Sequence, residues 1–305
     1  MNKKNYKTNL KRSFIICGIM FVIILLIFVY ATLVNRNVAE NMTGKLLYIN
    51  ENGSESYVCV YDFDNKKVLD IQGLNDVDGI EDAQFLKDGS ICAVVFDDNE
   101  LRIISCRTEG SQTDEIMVQK EVKRLISYEA DRNREKLLVA YENLNGEIVA
   151  KIINSSDRRV TDLFVDNEKE ITSVCFNYAG DGAYVAAEGK NTLIYSDNLS
   201  LQFSIKGDAK LLTAWENGFL LSRQDEYTYV YKFFTKSEAE SKLQFCDSHN
   251  TYKVCIITKD KFIAGSDKSG NGDIYVCNGS NMDPVEAVNN DMNNIPVDYI
   301  ETESK

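Results

Sequence analysis

From Gly44 onward the apolar positions come in short runs rich in Val, Ile, Tyr and Phe, broken by clusters of Gly, Asn and Asp. No stripe with a 3.6-residue period runs through this stretch, and the chain holds only two prolines. The pattern predicts strands joined by tight turns, an all-β body. Runs such as ICAVVF and KLLVAY are apolar at consecutive positions, which requires strands covered on both faces, as between stacked sheets. The N-terminal stretch follows another rule. Phe14 to Val34 is 21 residues without a charge, which as a helix at about 1.5 Å per residue spans about 30 Å of hydrocarbon. Five basic residues precede it and only Arg36 and Lys45 follow closely. The positive-inside bias therefore places residues 1–13 in the cytoplasm and the body outside, at the cell membrane. A cleaved signal peptide, ending near Val29-Tyr30-Ala31, is the rival reading, but the apolar run exceeds the usual length of such a segment.

The β pattern repeats. Aromatic or apolar residues ahead of a turn, Phe85, Tyr128, Phe176, Trp215, Ile257 and Tyr299, are spaced by 43, 48, 39, 42 and 42 residues. With about four short strands per unit, that period is the signature of propeller blades. Residues 45–70 supply three strands with nothing ahead of them to act as a first strand, while the C-terminal IPVDYI is a first strand with nothing after it. The two fragments complete one blade, which ties both ends of the body together and removes open sheet edges. The expected layout is a basic tail 1–13, a transmembrane helix 14–34, a linker 35–44, a propeller 45–300 and a tail 301–305.

Two stretches carry a resemblance to a known family. QFLKDGSICAVVF has an aromatic-x-x-Asp-Gly turn into a second strand, and DIYVCNGSNMDPVEAVNNDMNNIPVDY runs through a third strand, a turn, a fourth strand and a return to a Pro-containing first strand. In these features the body, from about Lys45 to Ile300, resembles the TolB-type six-bladed β-propellers. It departs from them in having Phe85, Tyr128 and Phe176 where Trp is usual. Six blades is the count this implies, with seven as the alternative. The resemblance also implies binding of proteins, peptides or glycans, with no shared active site to carry over.

Charge narrows the partners. Six basic residues precede the first acidic one, Glu40, leaving 28 of the 34 basic residues against all 47 acidic ones, a balance of −19 for the body. Such a body repels phosphate backbones, which excludes nucleic acid. Sorted by the side of the propeller on which the connections fall, one face carries about −15 and the other about −4. The chain enters on the less acidic face, so the more acidic one points away from the lipid. Its turns hold Asp76, Asp78, Asp97, Asp98, Glu100, Asp166 and Glu168, the first candidates for a ligand-binding surface, although acidic turns also serve plain solubility.

Candidate chemistry is sparse. Asp267, Ser269, Asn271 and Asp273 place oxygen ligands at alternate positions around Gly272, like the first half of a calcium loop. Asn278 stands where a bidentate Glu is expected, and the same residue types also suit a hairpin turn. Calcium is the only cofactor suggested. One histidine, His249, leaves little for a nucleophile–base pair. Eight cysteines, one of them in the apolar run, leave an odd number outside it, and six sit in apolar strands as buried thiols. Trp215, the single tryptophan, reads as a core residue. The sequence thus predicts a membrane-anchored binding or assembly module and not an enzyme. The alternative is a glycosidase or lyase with carboxylates near the central channel.

Overall fold

The computed structural model describes residues 19–26, 39–52, 55–75, 77–108, 111–189, 191–206, 210–215, 218–225, 228–235, 244–247, 251–258, 261–267, 272–278, 281–288 and 293–301. Apart from a helix at 19–26 and one short 3-10 turn, Gln72–Leu74, the described elements are strands. They form four-stranded antiparallel sheets of the β-propeller kind, in chain order. Sheet one holds β1 (Lys45–Asn52), β2 (Glu55–Asp62) and β3 (Lys67–Asp70); sheet two holds β4 (Ile80–Phe85), β5 (Ile91–Asp97), β6 (Glu100–Cys106) and β7 (Thr113–Lys120). Sheet three holds β8 (Val122–Ala130), β9 (Lys136–Asn143), β10 (Ile148–Asn154) and β11 (Val160–Asp166). Sheet four holds β12 (Ile171–Phe176), β13 (Ala183–Ala187), β14 (Asn191–Ser196) and β15 (Leu201–Lys206). Sheet five holds β16 (Lys210–Trp215), β17 (Gly218–Asp225), β18 (Thr228–Thr235) and β19 (Gln244–Asp247). Sheet six holds β20 (Thr251–Thr258), β21 (Lys261–Asp267), β22 (Gly272–Asn278) and β23 (Asn281–Pro284). The last strand, β24 (Asn293–Ile300), returns to pair antiparallel with β1 and gives sheet one its fourth member.

Burial follows from where each strand stands. Strand β9, KLLVAYEN, is buried at six successive positions because sheets cover both its faces. The outer strands β7 and β11 are mostly exposed. Alternation in β1 shows how the sheets stack: Leu47 and Ile49 pack with Phe85, Ile91 and Ala93 of sheet two, while Leu46 and Tyr48 pack with Ile263, Ile274 and Val276 of sheet six. Each fully buried aliphatic side chain in such a seam contributes about 1.5–3 kcal/mol. The register of the closing pair is pinned by a buried polar contact between register partners, Asn50 Nδ2 donating to Asn294 Oδ1 at 3.0 Å. Pro296 sits beside the register shift of the same pair, where the missing N–H does least harm.

Two sequence expectations need correction. Residues 39–44 are not all linker: Met42 is buried with Tyr61, Phe63 and Tyr299, the Phe63 N–H donates to Gly44 O at 2.9 Å, and the Gly44 N–H to Asp64 Oδ2 at 3.1 Å. The aromatic register is also off by two at Tyr128. Phe85 and Phe176 end their strands opposite Ile91 and Ala183, and the residue in that place opposite Leu137 is Ala130. Tyr128 instead turns into the seam with sheet two, its hydroxyl donating to Cys92 O at 3.1 Å.

Among the described residues no helix is long and apolar enough to cross a membrane. The helix at 19–26 is eight residues, each 46–67% exposed, and the rest of the 14–34 run lies outside the described residues. Cys59, Cys92, Cys106 and Cys175 are buried thiols. Burial pushes Cys59 and Cys92 up to about 12 and Cys106 to about 11, so they behave as small core side chains.

Candidate functional site

The first strands of the sheets meet around a cavity of about 360 Å³, lined from β4, β8, β12, β16, β20 and β24 and from the turns that follow β8 and β12. It runs from the middle of these strands to their C-terminal ends, so its mouth lies on the side where first strands turn into second strands. A local device aims polar groups into it. In every sheet the pairing between first and second strand carries a register shift, at Ile80/Asp82, Leu125/Ser127, Ile171/Ser173, Leu211/Thr213 and Thr251/Lys253, and beside Pro296 in sheet one. The pairing of second with third strand is uninterrupted throughout. A bulge breaks strict alternation and re-aims a side chain, which lets Asp82, Ser127 and Thr213 face the cavity from otherwise apolar strands.

These groups stitch neighbouring sheets together. The Phe85 N–H donates to Asp298 Oδ2 at 2.8 Å, the Val174 N–H to Ser127 Oγ at 2.9 Å, the Phe176 N–H to Glu129 Oε2 at 2.9 Å, and the Leu211 N–H to Ser173 Oγ at 3.0 Å. In each case a first strand takes a backbone N–H from the next sheet. Thr213 Oγ1 also donates to Glu129 Oε1 at 2.6 Å, so one carboxylate joins sheets three, four and five. From the turn after β8, Arg134 donates to Asp298 through both terminal guanidinium nitrogens, to Phe85 O at 3.1 Å and to Tyr299 O at 2.7 Å.

The electrostatics of this cluster are uneven. Burial pushes the Glu129 carboxyl up; hydrogen bonds from Thr213 and Phe176 pull it down, Asp82 and Asp298 raise it further, and the result is about 7. The residue as a whole is half-buried and lines the cavity. Burial opposes the charge on Arg134, but Asp298 outweighs it and holds the guanidinium above its ordinary value. At the mouth, Arg132 is exposed and lies 4.7 Å over the ring of Tyr178. Asp131 is committed to its own turn, accepting from the Glu135 and Lys136 N–H groups at 2.7 Å each.

The residues singled out from the sequence lie elsewhere. Asp98 and Asn99 both have positive φ, +49 and +64, between the paired Asp97 and Glu100; this is a two-residue hairpin of the type that favours Asp and Asn. Asp97 is exposed beside them, and Glu100 is half-buried 3.8 Å from Arg102. Asp78 is exposed next to Gly79, whose carbonyl accepts the Phe96 N–H at 2.8 Å, so the turns before β4 and after β5 are packed together. Asp166 is buried and caps its own turn, accepting from the Glu168 and Lys169 N–H groups and from Lys169 Nζ at 3.1 Å; Glu168 is exposed. None of these lines the cavity. Asp76 lies outside the described residues. For the calcium-like loop, Ser269 and Asn271 also lie outside them, and the pairing of Asp267 with Gly272 and of Ser266 with Asp273 makes the segment a hairpin connection. The Asp273 carboxylate accepts from the Tyr275 hydroxyl at 3.4 Å. Among the described residues no group of three or more His, Cys, Asp or Glu is placed to hold a metal ion.

No family model and no curated protein matches the sequence. Solved structures do resemble the fold. TolB from Acinetobacter baumannii matches with a TM-score of 0.59 and 13% identity over 85% of this chain and 65% of that one. The β-propeller domain of the trilobed protease from Pyrococcus furiosus matches with a TM-score of 0.52 and 13% identity, covering 80% and 84%. Oligogalacturonate lyase from Vibrio parahaemolyticus matches with a TM-score of 0.52 and 10% identity, covering 79% and 74%. The chain therefore spans only 65% of the length of the TolB it matches. At such identities the likeness is one of fold.

Proposed function

We propose that this chain is a six-bladed propeller held at the cell membrane by its N-terminal segment, with the body outside, and that it binds a peptide-like ligand in the axial cavity. The carrying observation is the cavity itself: a recess in the size range of ligand pockets, polar at its base and with an exposed guanidinium at its mouth. This reading replaces the acidic turns as the binding surface, since several of those residues are accounted for by turn geometry. Six four-stranded sheets closed by β24 on β1 support the blade count. Support for the anchor comes from the uncharged run 14–34 and from the helix within it, apolar on every side and covered by nothing else among the described residues.

The runner-up is a propeller enzyme, and one observation favours it: Asp82, Glu129 and Asp298 share the cavity, with Glu129 near neutral as a general acid should be. Against it, Asp298 is engaged by Arg134 and two N–H groups, and each Glu129 oxygen already accepts a hydrogen bond. These carboxylates are occupied in holding blades together. A photo-crosslinking residue at exposed Asn133, on the turn between Arg132 and Arg134, tests the binding reading in the full chain. Adducts should form from position 133 and not from position 168 on the opposite side. Adducts from 168 alone would return the site to the acidic face, and turnover of a glycosidic or peptide substrate that Glu129→Gln abolishes would establish the enzyme.

A further inference from the structure

The cavity and the N-terminal attachment share a residue. Tyr299 lines the cavity, its hydroxyl donates to Thr43 O, and its ring packs with Met42 and Phe63. The attachment therefore borders the mouth instead of sitting on the outer rim of the disc. Only residues 35–38 separate the end of the apolar run, Val34, from Ala39, which among the described residues is the first packed on the body. Even fully extended, that stretch reaches at most about 18 Å. Because the attachment point adjoins the mouth, no tilt of the disc carries the mouth much beyond one tether length from the bilayer. A bulky folded partner approaching from solvent meets the lipid before it meets the cavity.

The charge of the wall selects among what can reach it. Asp82, Asp131 and Asp298 stand against Arg132 and Arg134, with Glu129 only partly charged near neutral pH, a small excess of acid that disfavours the phosphate of a lipid headgroup. The same small excess of acid favours a basic side chain over an acidic one. Resting on the membrane-anchored reading above, we infer that the cavity takes a short basic stretch of polypeptide belonging to a second membrane-inserted protein, at the point where that chain leaves the bilayer.

The test keeps the full chain in its membrane, with the photo-crosslinking residue at position 133, and compares it with a form carrying a stiff helical spacer of about 20 residues between 38 and 39. Such a spacer lifts the mouth by about 30 Å. The expected result is an adduct with a protein that resists alkaline extraction from the membrane, reduced at least tenfold by the spacer while the thermal unfolding of the body is unchanged. An adduct that survives the spacer, a soluble partner, or label transferred only to lipid overturns the inference. The chain without the spacer reports separately on the underlying reading: alkaline extraction of that chain defeats the anchor, and absence of any adduct from position 133 defeats the cavity.

Discussion

Arg134 and Asp298, 164 positions apart in the chain, are joined by paired guanidinium–carboxylate hydrogen bonds across the edge of the axial cavity. Arg134 belongs to sheet three and Asp298 to the strand that closes sheet one, so the contact passes over sheet two and clamps the last strand into place. Removing one partner leaves the other mostly buried and uncompensated. Arg134→Met should destabilise the body by about 2–4 kcal/mol in denaturant unfolding, and Arg134→Lys, which keeps the charge without the paired geometry, by less. Equal loss in both variants would assign the effect to packing.

Glu129 gives the body a pH dependence of defined sign. Its folded value of about 7 lies above the ordinary 4.5, so between these two pH values the folded state retains a proton that the unfolded state has released. Stability therefore falls as pH rises through that window and levels off above it. Glu129→Gln should remove this component and be the more stable form at pH 8, by about 2 kcal/mol, with the advantage gone near pH 4.5. Thermal melts of the two proteins across pH 4–9 check it, and parallel curves would mean that the carboxyl titrates alike in both states.

Gly265 on β21 leaves room for the closing strand. A Cβ there would lie 2.5 Å from Pro296 Cδ and 3.2 Å from its Cγ, and a proline ring cannot swing away. Gly265→Ala should cost about 1–3 kcal/mol through overpacking. Hydrogen exchange should show the loss first in β24 and β1, before the middle sheets.

Met42 tests whether residues 39–44 belong to the body. The side chain is 4% exposed among aromatic rings, and Met42→Ala should cost about 2–4 kcal/mol. Limited proteolysis should then cut ahead of Lys45 in the variant and spare the parent. A change below about 0.5 kcal/mol would restore the whole of 35–44 to the linker.

Much of this architecture was legible in the sequence. Short apolar runs and turn residues at a 40-residue period announce four-stranded units, because alternation and turn chemistry are local properties. The partner of β1 could also be read, since a unit lacking its first strand and a first strand lacking its unit imply each other. The cavity was not legible. Asp82, Glu129, Thr213 and Asp298 come from four strands far apart in the chain, and no spacing relates them. The available signal was that acidic residues stand among apolar ones in the first-strand segments IEDAQF, LISYEA and IPVDYI. Acidic turns drew attention instead because charge clusters in turns are conspicuous, although a hairpin with two positive φ values selects Asp and Asn for backbone reasons alone.

The sharing of one sheet by both ends of the body also governs how the protein is made. Strand β1 emerges from the ribosome with one edge bare, and its partner follows some 250 residues later. At a synthesis rate of about 5–20 residues per second that edge waits roughly 10–50 s. Throughout that interval the nascent chain is exposed to premature strand pairing, and it is the arrival of β24 that ends its vulnerability.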